Sequence, residues 1–226
     1  MSDTKLVTHV LSFDEAVRRL EAGLRAGLPG PAAQARLAPQ PRRQWPEGFN
    51  PARIRHAAGL LLVYPDATHR ATLVLTVRSD TLQRHRGQVS LPGGVVEPGE
   101  TFERAALREA HEEVALPPDA DIRVLGALTP LDIPVSGFRL HPVVAATPAR
   151  QPLVPADGEV ARILEIRVDD LLDPARLVTA ARDRDGLPAS LVPTFQISGA
   201  EIWGATAMVL AEFLTLLGWN PPDAIR

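Results

Sequence analysis

The chain contains no cysteine. Disulfides and thiolate-ligated metal sites are excluded, and a reducing, cytoplasmic setting is the expectation. Lysine is almost missing too. Lys5 is the only one, so nearly all positive charge is arginine, which is read as genome composition although the guanidinium suits phosphate. No long apolar run exists. The longest, Ala57–Tyr64, has eight residues where a membrane span needs about 20. It reads as a buried strand, and no membrane partner is expected. The first twenty residues lack a basic start followed by an apolar core, and Asp14 and Glu15 stand among them, so no targeting segment is expected. A net charge of −3 argues against general binding of nucleic acid or anionic membrane. A polyphosphate ligand would then rely on local arginines and a metal.

What is present suffices for a sizeable core: 226 residues, 45% of them apolar. One stretch organises the rest, residues 94–116, GVVEPGETFERAALREAHEEVAL. It opens on a turn from Gly93-Gly94 to Pro98-Gly99. Thr101 then caps a helix, with Glu103 in its first turn where the dipole favours a carboxylate, and Pro117-Pro118 ends it after Leu116. At 100° per residue Glu109, Glu112 and Glu113 share one arc of about 100°. Leu107, Ala110 and Val114 form the neighbouring, core-facing arc. Three acids at these spacings repel one another, and a hard divalent cation turns that repulsion into a binding site. An Arg108–Glu100 pair is expected to hold the turn against the helix and leave the three acids free for metal. A charge run by itself is a solvated face; the Gly, Glu and Arg at fixed offsets say more.

Gly94-x5-Glu100-x7-Arg108-Glu109-x2-Glu112-Glu113 resembles the Nudix box, the signature of hydrolases that cleave nucleoside diphosphates linked to another moiety. Ala115 stands where the family usually has glycine, and Ala110 where it has a larger aliphatic; neither change removes a ligand. The resemblance implies an α/β/α sandwich with a mixed sheet between helices and a Mg²⁺ or Mn²⁺ cofactor. It places the metal on Glu109, Glu112, Glu113 and the Gly94 carbonyl. Glu109, Glu112 and Arg108 are then catalytic, and Gly93 and Glu100 structural. Glu159, in the loop before a later strand, is a further candidate base or ligand, because several Nudix enzymes place an acid from a comparable loop near the metals. The family also implies a homodimer.

The segment ahead of the box, LTVRSDTLQRHRGQVSLPGG at 75–94, is similar to that of coenzyme A pyrophosphatases. Arg78, Ser79, Gly87, Gln88, Pro92, Gly93 and Gly94 match, whereas Gln83 and Leu91 replace the subfamily's arginine and phenylalanine. Ser136–Arg139, Pro142–Val144 and Trp203–Ala207 resemble later segments of the same subfamily. This implies a small-molecule nucleotide substrate of the coenzyme A class, bound by Arg78, Arg84, His85, Arg86 and Gln88; Gln83 and Leu91 keep open the same hydrolysis of another nucleotide (ADP-ribose, NADH or a nucleoside triphosphate), and a nucleotide-binding module without turnover is the third reading. The other histidine near the site, His111, is read as exposed, and Phe138 and Trp203 as core aromatics.

In chain order, Ser12-Phe13-Asp14-Glu15 is a capping box, and Ala16, Val17, Leu20 and Leu24 form a helical stripe up to Gly27. Residues 28–52 hold six prolines and a short helical piece near Ala32–Leu37. Residues 1–52 are thus read as a helical extension with a proline-rich connector, and 53–226 as the hydrolase domain. Strands are expected at Arg55–Tyr64, Ala71–Arg78, Ile122–Thr129, Phe138–Ala146 and Ile163–Val168. A final, largely apolar helix is expected over Ala200–Leu217.

Overall fold

A computed structural model describes residues 10–79, 87–156, 158–184 and 187–220. Its elements, in chain order, are α1 (Phe13–Ala26), α2 (Gly30–Ala35), β1 (Arg55–Pro65), β2 (Ala71–Arg78), β3 (Val89–Ser90), β4 (Gly93–Val95), α3 (Phe102–Val114), β5 (Arg123–Ala127), β6 (Leu131–Ile133), β7 (Phe138–Ala146), β8 (Val160–Arg167), α4 (Val168–Leu172), β9 (Leu177–Arg184), β10 (Leu187–Ile197), β11 (Ala200–Ile202) and α5 (Gly204–Leu216).

Strand β1 is the axis of an eight-stranded mixed sheet. It pairs antiparallel with β2 and β4, and parallel with β7 along nine residues from Arg55–Phe138 to Val63–Ala146. Beyond these, β2 carries β3 and β8, and β7 carries β5 and β6. Because successive strand residues point to opposite faces, the apolar runs split by parity between two core layers. Leu61, Val63, Leu73, Leu75 and Val144 face α1 and α5. Leu60, Leu62, Val74, Val143 and Ala145 face Ala105, Ala106, Ala110 and Val114 of α3. The result is the α/β/α sandwich that the sequence pattern implied. Each fully buried aliphatic contributes roughly 1.5–3 kcal/mol relative to exposure.

The N-terminal helices belong to the first layer. Ser12 caps α1 by accepting from the Glu15 amide at 3.3 Å, and Phe13, Ala16, Val17 and Leu20 enter the core shared with α5. The link between α2 and α5 is polar. Glu212, fully buried on α5, accepts from the Gly30 amide (3.1 Å), Gln34 Nε2 (2.9 Å), Thr129 Oγ1 (2.6 Å) and the Thr129 amide (3.3 Å). One carboxyl group thus joins three segments remote in sequence.

Several elements differ from the sequence reading. The final helix starts at Gly204, not Ala200, because Ala200–Ile202 pairs with β10 across a two-residue turn. Ser198 and Gly199, both at positive φ (54° and 69°), make that turn, the geometry tight hairpins favour. Strand β8 begins at Val160 and is followed at once by α4, rather than running from Ile163 to Val168. The three-stranded sheet β9–β10–β11 was not anticipated. Phe138 and Trp203 are half-buried, each with an arginine over its ring: Arg55 at 3.9 Å and Arg182 at 5.0 Å from the ring centroids. An aromatic that carries a cation on its face needs one side open, so neither is a core residue.

Candidate active site

Two adjacent glycines bring a loop down onto the sheet. In β4, Gly93 and Gly94 pair with Gly59 and Ala58. A Cβ on Gly93 would stand 2.2 Å from the Ala58 carbonyl oxygen, so any other residue would push β4 off β1. A Cβ on Gly94 would stand 2.5 Å from the carboxyl atoms of Glu109. The bare backbone there lets a carboxylate of α3 lie against the chain.

Thr101 caps α3 by accepting from the Arg104 amide at 3.3 Å, as its sequence predicted. The turn ahead of it is closed by Glu100, whose Oε2 accepts from the Glu97 amide at 3.1 Å. Arg108 then gathers the site. Its Nε and Nη2 form a fork on Glu100 at 3.0 and 3.2 Å, and Nη2 also donates to the Val95 carbonyl at 2.9 Å. Its Nη1 reaches both Glu109 and Glu112 at 3.0 Å. The expected Arg108–Glu100 pair is present, but it does not leave the other acids unpaired. The guanidinium acts as their internal countercharge. Glu113 turns inward from the same helix, only 5% exposed, and its Oε2 accepts from the Gly93 amide at 3.0 Å.

These contacts set the charges. Hydrogen bonding to Arg108 holds the Glu100 carboxyl below its usual range. The Arg108 guanidinium is pushed up by the same bond and by Glu109. Burial raises Glu109 above the ordinary glutamate value even though Arg108 lies beside it. A desolvated carboxylate with one shared cation is short of positive charge. The donor set of hard oxygens, with a glycine where a Cβ would block Glu109, therefore fits a divalent cation. Among the described residues no three such side chains converge closely enough to hold an ion as they stand; Arg108 draws Glu109 and Glu112 to itself.

At its C-terminus α3 ends on Ala115 in the left-handed region (φ 52°), the position of the family glycine. His111 is exposed, as expected, and its Nδ1 donates to the Leu116 carbonyl at 2.8 Å. The last carbonyls of the helix also take partners from a distant loop, Glu113 from the Ala156 amide (3.0 Å) and Val114 from the Val154 amide (3.1 Å). Such terminal carbonyls have no partner within a helix. Satisfying them docks on α3 the loop that leads to Glu159. Sequence reasoning missed this, because the donors are main-chain groups without a residue signature.

Glu159 and Arg78, expected as catalytic and substrate-binding residues, meet each other: Arg78 Nη2 donates to Glu159 Oε2 at 3.1 Å, and the Ser79 amide to the Glu159 carbonyl at 2.7 Å. Gln88 lies beside them, its carbonyl accepting from the Arg78 amide at 3.0 Å. Arg84, His85 and Arg86, together with Gln83, lie outside the described residues. Also unforeseen is a ring cluster at the start of α3. His56 and His141 share a hydrogen bond of 2.8 Å, and Phe102 stacks on His141 at 3.6 Å. Burial, reinforced by His56, depresses His141 to about 4. The parallel register of β1 and β7 creates this pair, and sequence spacing does not reveal it.

Residues 53–188 match the family model described as a NUDIX domain. The chain belongs to the Nudix hydrolase family. The "Uncharacterized Nudix hydrolase NudL" of Yersinia pestis (strain Pestoides F) is 38% identical over 140 residues, which cover 62% of this chain and 69% of that one. Its namesake in Yersinia pseudotuberculosis serotype O:1b (strain IP 31758) gives the same figures. The crystal structure of RenU, a Nudix hydrolase from M. smegmatis, covers 82% of this chain and 96% of its own with a TM-score of 0.53 at 21% identity, a likeness of fold. The four acids and Arg108 described above lie within the matched residues. No described helix is long and apolar enough to cross a membrane.

Proposed function

We propose that this Nudix protein hydrolyses the diphosphate of coenzyme A or its derivatives, giving adenosine 3′,5′-bisphosphate and 4′-phosphopantetheine. The observation that carries the reading is the Arg108 hub, which holds Glu100, Glu109 and Glu112 within one hydrogen-bonded group against Gly94. Glu109, Glu112, Glu113 and the Gly94 carbonyl would hold Mg²⁺ or Mn²⁺. Such an ion screens the charge of a diphosphate and lowers the pKa of water. The protein's own groups supply the rest. Arg108 and Glu100 fix the loop, Gly93 orients Glu113, and Glu112, the most exposed of the acids around Arg108, accepts the proton of the attacking water. Glu159, from the loop docked on α3, is the second candidate for that proton. General-base action of this kind contributes roughly 10²–10⁴-fold.

The coenzyme A class is supported by the match at Arg78, Gly87, Gln88 and Pro92, whose backbone bonds link Arg78 to both Gly87 and Gln88. ADP-ribose, NADH and nucleoside triphosphates are the competing substrates. The same reading carries a homodimer, testable by sedimentation. Product analysis with each nucleotide in Mg²⁺ and in Mn²⁺ decides the substrate. Preference for coenzyme A supports the proposal; preference for another nucleotide keeps the hydrolase and rejects the substrate class. Glu112→Gln is expected to remove most of the rate while the protein stays folded.

A further inference from the structure

A cavity of about 340 Å³, at the small end of ligand-site volumes, opens between the small sheet and the edge of the large one. Val77, Gln88, Arg162, Arg182, Glu201 and Trp203 are among the residues that line it. The fold brings these residues from five places: β2, the segment before β3, β8, β9 and the β11–α5 junction. Arg162 lies directly across from Val77 in the β2–β8 pairing, and Val89, the neighbour of Gln88, faces Val77 from the other side. Thr206 at the start of α5 donates to the Val89 carbonyl at 2.8 Å, which fixes Trp203 beside this edge. Arg182 stacks on Trp203 and donates to Glu201 at 2.7 Å.

The charge balance is positive. Two guanidinium groups face one carboxylate, while Arg78 next to the cavity is already matched by Glu159. Among the described residues, Nε of Arg182 is buried without a hydrogen-bond partner, a state that disfavours the empty form of a site. Arg162 is exposed and, among the described residues, makes one 3.4 Å contact, to the Ser198 carbonyl, which leaves most of its fork available. Planar forks in a cleft with an aromatic wall suit a phosphate monoester. Along the chain the cavity lies near the box. Gln88 precedes Gly93 by five residues, so the two lie at most ~18 Å apart along the chain.

We infer that Arg162, Arg182 and Trp203 form a second anion subsite, which holds a phosphate monoester of the substrate other than the diphosphate that is cleaved. This rests on the reading above and assigns substrate discrimination to the small sheet instead of the box. Arg162 and Arg182 are binding residues here and take no part in bond cleavage.

The test compares coenzyme A with dephospho-coenzyme A on wild-type protein and on R162Q, a change at an exposed residue that gives up its 3.4 Å contact with the Ser198 carbonyl. The expected result is a KM for coenzyme A raised about tenfold or more, with kcat and all parameters for the dephospho form unchanged. R182K, which keeps the charge but not the fork, is expected to show the same selective loss. Equal losses on both substrates, or none on either, would overturn the subsite. A second measurement separates this from the proposed activity: calorimetric binding of adenosine 3′,5′-bisphosphate and of AMP with metal chelated. Tighter binding of the bisphosphate by wild type, with the difference erased in R162Q, supports the subsite even if no turnover is found. Equal binding of the two by wild type rejects it.

Discussion

Gly94 and Glu109 lie so close that a single methyl group would not fit between them: a Cβ on Gly94 falls 2.5 Å from the carboxylate. Gly94→Ala is therefore expected to displace Glu109 and disturb its bond with Arg108, while leaving the two core layers untouched. Misplacement by about 1 Å lowers rates by roughly 10²-fold. Steady-state kinetics alongside a thermal melt checks this; a large fall in melting temperature with proportionate inactivation would contradict it.

Arg108 makes five hydrogen bonds through three nitrogens. Lysine at this position retains the charge but loses the planar fork. Arg108→Lys is expected to lower kcat roughly 10–10²-fold, with a circular dichroism spectrum like that of wild type. Activity near wild type would show that the charge alone suffices.

Ala115 adopts φ 52° and ψ 38° at the end of α3. A side chain in the left-handed region costs roughly 1 kcal/mol, and glycine avoids that cost at some loss in unfolded-state entropy. Ala115→Gly is expected to stabilise the protein by about 0.5–1 kcal/mol. Urea denaturation measures it, and a destabilised variant would mean that Cβ contacts outweigh the strain.

Glu212, fully buried, satisfies four donors. Glu212→Ala strands the Gly30 and Thr129 amides together with Gln34, at a cost of roughly 3 kcal/mol or more. Glu212→Gln keeps the volume and is expected to cost less. Chemical denaturation of both variants gives the order, and equal stabilities would rule out this role.

The depressed pKa of His141 links stability to pH. The folded form titrates at about 4 and the free side chain at 6.5, so between these values the unfolded chain binds more protons. Stability contributed by neutral His141 is complete above pH ~6.5 and falls as pH drops towards 4, by roughly 1–3 kcal/mol in total. His141→Gln should flatten that part of the stability curve. An identical pH profile in the variant would assign the acid sensitivity elsewhere.

Much of this was legible from residue patterns, for identifiable reasons. The first helix announced itself through Ser12 and its apolar stripe, α3 through Thr101 and the double proline, and β1, β2 and β7 through β-branched and aliphatic runs. The Glu100–Arg108 pair followed from spacing on a turn and a helix. What stayed hidden depends on long-range register or on main-chain donors. Glu212 looks like one more helix acid until α2 and Thr129 are folded onto it, and His56 and His141 are 85 positions apart. The small sheet was missed because β11 has only three residues and abuts a helix; the Ser198-Gly199 pair between Ile197 and Ala200 was the available turn signal.

The division of the core by strand parity also gives the molecule a time order. The layer beneath α3 draws its fully buried residues from positions 58 to 145, and the partly buried Leu153 and Ile163 join it after β7. The opposite layer begins with Leu11 and closes only with Val209, Leu210 and Phe213 of α5. On a growing chain, the face with the acids has all its buried partners while α1 still waits for the helix that covers it. Until α5 arrives, Leu61, Val63 and Leu73 lack the Val209, Leu210 and Phe213 part of their cluster, and incompletely covered apolar surface of this kind favours aggregation of a nascent chain.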